Sequence, residues 1–507
     1  MPSSRRERRA DGPRGGTISR AYLWVSVFAG GSFSLVLEVL GGRLLAPFYG
    51  ASVETWAAVI SVSLGALACG YEIGGRWAQG TRRLTLFALL LLGGALSIAC
   101  ARAFGGPILR ATLLMAQGGA IASATFLLGP ALFFLGALNP AAACWLAQGK
   151  RTFRAGTVYA VSTAGGIAGA LATAFVLIPC MGHSAILRTV TLGLIALAAA
   201  GAWIARRGNI IIASAVLGAA AAVDLWRGHP LSWAPILSGQ TILWHKNSPY
   251  GFLQVSDDAR HRVLWENGSL LSMMNLRNSK RLIYIPEMMW ALALRPGASR
   301  ALVIGLGSGA LTLALERRGL EVDSCEMDPD VVFAAGKFFG FPRRGGAVLV
   351  EDGRRCLNKT TGAAYGIVLL DVFRGESIPA HLLSSDFFRL VKSRMDSDGV
   401  LAANVTSIVG GRGDEPWIAL DKTLKTVFQN VRAFGPRVPD GAPQNVFFFA
   451  SNASLAERHV PGLELEAPPE RLAVAPILTD DFNPWVSISA RTCDLERRGR
   501  WGPRRPR

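Results

Sequence analysis

Seven apolar stretches, near residues 21–41, 55–75, 84–104, 119–146, 156–180, 184–205 and 209–226, crowd the first 230 residues of this 507-residue chain. A helix needs about 20 apolar residues to cross the ~30 Å hydrocarbon layer of a bilayer. Inside lipid the backbone must satisfy its own hydrogen bonds, so a multi-pass α-helical bundle is the expected fold for this half. The first stretch follows an arginine-rich start and lacks a small-residue cleavage site; it reads as a retained helix, not a signal peptide. Gly165, Gly166 and Gly169 recur at the spacing that lets helix backbones approach closely.

The formal charge of +18 is unevenly spread. A basic N-terminal tail (1–20) carries +4, the apolar region (21–230) +9 and a basic C-terminal tail (491–507) +5, while 231–490 holds 27 residues of each sign. That distribution argues for contact with anionic lipid and against nucleic acid as a partner. The arginines of the N-terminus, Arg76/Arg82/Arg83, Lys150/Arg151/Arg154 and Arg206/Arg207 alternate with poorly charged loops, which assigns those four segments to the cytoplasmic side. Seven crossings would leave everything after residue 230 outside. An extra hairpin within 105–146, or a last stretch lying along the membrane, would return it to the cytoplasm. Glu38 and Glu72 lie in or at the ends of the first two stretches, either paired locally with Arg43 and Arg76 or lining a polycation pathway. Cys69, Cys100, Cys144 and Cys180 lie in apolar runs, whereas Cys325, Cys356 and Cys493 range from buried thiols to a disulfide pair. No CxxC or Cys/His cluster suggests a metal.

From residue 241 the texture changes. Thr241–Asp257 reads as strand and Arg262–Leu271 as a hairpin turning at Asn267-Gly268. Strand-like runs at 300–305, 321–326, 347–351, 366–371 and 399–405 alternate with helical stretches near 309–319, 329–338, 383–395 and 415–430, which predicts a doubly wound α/β sheet. A further strand, Val446–Ala450, is expected to close its edge. The first strand runs into Gly305-Leu306-Gly307-Ser308-Gly309, a loop that lets backbone approach a ligand. Glu326 ends the second strand, where an acid accepts ribose hydroxyls, Asp352-Gly353 the third and Asp371 the fourth. Ligands of such sheets bind beyond the carboxyl ends of the strands, so the series marks one crevice. A dinucleotide fingerprint fails because Ala310 stands where GxGxxG needs glycine.

On these residues, together with Ser248-Pro249-Tyr250, Glu266-Asn267-Gly268, Glu287-Met288, Glu326-Met327-Asp328, Asp352-Gly353-Arg354 and Leu370-Asp371, the segment 241–405 resembles spermidine synthase, a polyamine aminopropyltransferase. With Glu38–Arg43, Gly50–Ser52 and Thr479–Pro484 added, the whole chain resembles the bacterial membrane-fused members of that family. The resemblance implies a methyltransferase-like (Rossmann-like) domain over 236–490 with an N-terminal β-hairpin region, in a multi-pass cell-membrane protein. It implies decarboxylated S-adenosylmethionine, or S-adenosylmethionine, as co-substrate, with no metal. Gly305, Gly307, Ser308, Gly309, Glu326, Asp352 and Gly353 would hold it, Glu326 at the ribose and Asp352 at the adenine amino group. Asp371 would take the proton of the attacking amine. Implied partners are a polyamine or other amine acceptor and the bilayer, with a homodimer left open.

The departures from the family pattern cluster at the amine end. Gly251 replaces a Gln, Ile285-Pro286 replaces Tyr-His, Ser308 replaces an Asp in the glycine loop and Arg374 replaces a second Asp near Asp371. A cation at residue 374 disfavours a dication by Coulomb sign; Glu376 or Asp480/Asp481 would have to compensate. Three readings follow: a membrane-anchored aminopropyltransferase, an S-adenosylmethionine-dependent transferase on another acceptor, and a non-catalytic transporter or sensor with a nucleoside- or polyamine-binding domain.

Overall fold

The computed structural model describes residues 13–501 apart from 50–52, 80–82, 113–114, 116–117, 147–150, 228–239, 279–280, 283–284, 343–345, 361, 363, 374–377, 437–440 and 456–461. The chain divides into two compact units, Met1–Pro235 and Ile236–Arg507.

The first unit is helical. Its elements are α1 (Pro13–Tyr49), α2 (Val53–Ala78), α3 (Arg83–Thr112), α4 (Gly119–Leu127), α5 (Gly129–Leu146), α6 (Arg151–Ala172), α7 (His183–Ile204) and α8 (Gly208–Arg227). A π-turn over Thr173–Leu177 continues α6. Six helices among the described residues are long and apolar enough to cross a membrane, namely α1, α2, α3, α5, α6 and α7. The nine residues of α4 span only about 13 Å at 1.5 Å per residue, too short for an extra crossing within 105–146. Glycine sets the closest helix approach. A Cβ on Gly165 would strike the carbonyl oxygen of Phe28, and one on Gly169 that of Ser32, so α6 lies directly against α1. Glu72 pairs with Arg76 at 2.7 Å, one turn apart. The N-terminal arginines before residue 13, Arg82, Lys150 and the Gly50–Ser52 turn lie outside the described residues.

The second unit begins with a five-stranded antiparallel sheet in the order β1 (Thr241–Asn247), β2 (Phe252–Asp257), β3 (His261–Glu266), β4 (Ser269–Asn275), β5 (Arg281–Leu282). The expected single strand Thr241–Asp257 is two strands, because Ser248 folds the chain back through bonds from Tyr250 N and Gly251 N to its hydroxyl. The β3–β4 turn is the expected one: Asn267 and Gly268 both have positive φ, 49° and 78°.

The larger sheet comprises β6 (Arg300–Ile304), β7 (Glu321–Cys325), β8 (Val348–Leu349), β9 (Tyr365–Leu370), β10 (Met395–Ile408), β11 (Asn430–Gly435), β12 (Pro443–Ser451) and β13 (Leu463–Leu465). Their order is β13-β11-β12-β10-β9-β6-β7-β8, with β10 to β8 parallel and β12 antiparallel to both β10 and β11. This is the methyltransferase-like, Rossmann-like arrangement. Alternation along the strands fills two cores. Leu302, Ile304, Val368 and Leu370 join one buried cluster, while Ala301, Val303, Ile367 and Leu369 join the other.

One expectation needs correction. The strand at Val446–Ala450 does not close the sheet edge; it lies inside, between β10 and β11. Its run of buried residues, Val446 to Ala450, reflects neighbours on both sides. A last helix runs from Trp485 to Trp501, with Trp485, Ser489 and Thr492 buried at helical spacing.

Candidate active site

The carboxyl ends of β6, β7, β8 and β9 open onto one cavity, lined by Gly305, Gly307, Ser308, Glu326, Asp352, Gly353 and Asp371. Gly309 is not part of its lining: with φ of 75° it caps helix Ala310–Glu316, and a Cβ there would strike the ring of Phe341. Gly305 has φ of 96°, and its missing side chain leaves room for the carbonyl of Asp371. The glycine loop is also held from the small sheet, since Ser308 N donates to Ser272 Oγ at 3.0 Å.

Glu326 is placed by the loop it supports. Its Oε2 accepts from Leu306 N at 3.1 Å and its Oε1 from Asp328 N at 3.0 Å. Burial pushes this carboxyl above its usual range, against the pull of those backbone bonds. Asp328, two residues on, caps helix Pro329–Phe339 through Asp330 N.

Asp352 caps helix Gly353–Lys359, its Oδ1 accepting from Arg354 N at 3.0 Å. His381 Nε2 lies 2.8 Å from Asp352 Oδ2. That contact holds the Asp352 carboxyl below its ordinary range. Asp371 ends β9, where its main-chain N donates to Ile304 O, and its Oδ1 accepts from Asn404 Nδ2 at 3.0 Å. Asn404 is fully buried on the adjacent strand β10. Cys325 and Cys356 form a disulfide between the end of β7 and the helix after Asp352.

At the amine end, Ile285 lines the cavity while Pro286 is exposed. Asp480 is paired with Arg354, whose Nη1 donates to Asp480 Oδ2 at 2.6 Å. Asp481 is exposed. Arg374 and Glu376 lie outside the described residues. Sequence reasoning missed Ser272, Asn404 and His381. None carries a local pattern; each is brought in by a neighbouring strand or turn. Among the described residues no group of His, Cys, Asp and Glu could hold a metal ion.

No protein-family model matches the chain. Over 133 residues it is 37% identical to the polyamine aminopropyltransferase of Vibrio vulnificus, covering 25% of this chain and 44% of that one. Over 210 residues it is 26% identical to a probable polyamine aminopropyl transferase of Bifidobacterium longum, covering 41% and 46% respectively. The chain thus spans less than half the length of these curated relatives. Among solved structures, a probable spermidine synthase from Corynebacterium glutamicum aligns at 17% identity and a TM-score of 0.39, over 48% of this chain and 97% of that one. Part of this chain is similar to polyamine aminopropyltransferases.

Proposed function

We propose that the protein is a membrane-anchored aminopropyltransferase-like enzyme that moves an aminopropyl group from decarboxylated S-adenosylmethionine to an amine such as putrescine. The observation that carries this reading is the convergence of Glu326, Asp352 and Asp371 on one cavity beside the glycine loop. Glu326 and Asp352 fit a nucleoside because each carboxylate is fixed by main-chain N–H groups at the strand ends where ligands of such sheets bind.

The donor's sulfonium supplies an activated methylene carbon. The acceptor presents an alkylammonium with a pKa of about 10.4, which at neutral pH has almost no free lone pair. Asp371 positions that nitrogen and takes its proton. The nitrogen lone pair then forms the new C–N bond as the C–S bond breaks, and its electrons return to sulfur in methylthioadenosine. Asn404 holds Asp371 by its amide.

The test uses the full chain in lipid nanodiscs, titrated with decarboxylated S-adenosylmethionine, S-adenosylmethionine and methylthioadenosine, with and without putrescine. Binding of the decarboxylated donor, tightened by the diamine and followed by product formation, supports the reading. Preference for the carboxylated form moves the assignment to another transferase, and no nucleoside binding to a non-catalytic unit. Asp371→Asn should lower turnover by about 10²-fold or more while binding persists; Glu326→Ala should weaken binding itself.

A further inference from the structure

His381 lies in the short turn Ala380–Leu382 on the loop that leaves β9. Its ring meets the acid assigned to the nucleobase: Nε2 is 2.8 Å from Asp352 Oδ2. Its carbonyl oxygen accepts from Arg354 Nε at 2.8 Å. The same turn is thus bound to Asp352 by a side chain and to the neighbouring arginine by main chain.

Arg354 passes the restraint outward. Its Nη2 donates to Ser384 Oγ at 2.7 Å and its Nη1 to Asp480 Oδ2 at 2.6 Å. The segment Thr479–Asn483 reaches back to the turn as well, through Asn483 Nδ2 on Ala380 O at 2.8 Å. Asp480 N in turn donates to Asp386 Oδ2 at 3.0 Å. Half of the His381 side chain is exposed, so its bond to Asp352 would be weak on a mobile loop. Here the turn is tied on both sides, and the imidazole needs little further ordering to meet the carboxylate.

With Oδ1 committed to the helix cap and Oδ2 to an imidazole, the plane of the Asp352 carboxylate is fixed. A fixed carboxylate accepts from an exocyclic amino group and repels a ring oxo group at the same place. We propose that His381 is a positioning residue for Asp352, and that by fixing the plane of that carboxylate it sets how sharply the site tells an amino purine from an oxo purine. This rests on the nucleoside-binding reading of the cavity and adds the residue that sets its selectivity.

The test compares methylthioadenosine with methylthioinosine, which carries oxygen in place of the amine, on the full chain in nanodiscs. Wild type is expected to prefer the amino nucleoside. His381→Ala should weaken the amino nucleoside about tenfold, the scale of one hydrogen bond to a charged group, and leave the oxo nucleoside unchanged. His381→Gln, which keeps a donor, should restore most of the preference. His381→Glu keeps the size but sets a like charge against Asp352, and should lose amino-nucleoside binding. Equal weakening of both nucleosides by His381→Ala, or an unchanged ratio, would overturn the proposal while leaving the site reading intact. A wild-type protein that binds neither nucleoside would overturn the site reading itself.

Discussion

At the residue scale the legible part of the site is what strand ends dictate. Glu326, Asp352 and Asp371 each follow an apolar run, and parallel strands deliver their carboxyl ends to one edge. Asn404 illustrates what was not legible. It sits inside the apolar run of β10, and only the pairing of β10 with β9 puts its amide against Asp371. Asn404→Ala should remove that restraint and open a small buried space. Turnover should fall about tenfold, the scale of one hydrogen bond to a carboxylate, with nucleoside affinity unchanged. Steady-state kinetics beside a nucleoside titration checks this: a loss confined to affinity would show that Asn404 supports the donor site and not Asp371. His381 was equally silent in the sequence, because a histidine in a loop has no periodicity to place it.

At the element scale, local pattern placed the parallel strands and the β3–β4 hairpin, but not the order of the antiparallel strands at the far edge of the larger sheet. β11 pairs with the next strand, β12, but β12 also inserts beside β10, and β13 reaches back past β12 to β11. Such order depends on non-local pairing that no window of sequence contains. The segment Thr479–Asn483 is held in the same non-local way, by Arg354 from the helix after β8. The Arg354 guanidinium beside it lowers the Asp480 carboxyl below the usual range. A depressed folded-state pKa stabilises the fold above the ordinary Asp value of about 3.9, and that stability is lost as pH falls through the lower folded value. The unfolding midpoint of wild type should therefore exceed that of Asp480→Asn near pH 6, and the gap should close as pH falls below the carboxylate range. A gap that does not change with pH would show that the charge on Asp480 contributes nothing to holding the segment.

At the scale of the whole molecule the unsettled quantity is the parity of the crossings, because it decides which compartment feeds the cavity. Six helices among the described residues have the length and apolarity to cross a membrane. Helix α8, Gly208–Arg227, spans about 30 Å at 1.5 Å per residue, so its length alone is compatible with a seventh crossing. An even number of crossings returns the C-terminal unit to the side of the N-terminal arginines, the cytoplasmic side by the positive-inside bias. That is where the proposed donor is made. Protease added to sealed right-side-out vesicles should then leave the C-terminal unit intact, and digest it in inverted vesicles. Digestion from the outside would instead establish α8 as a seventh crossing. It would suit the Cys325–Cys356 disulfide, since such bonds persist in oxidising compartments. It would also separate the cavity from its cytoplasmic donor, so that nucleoside binding without turnover became the better account of the same carboxylates.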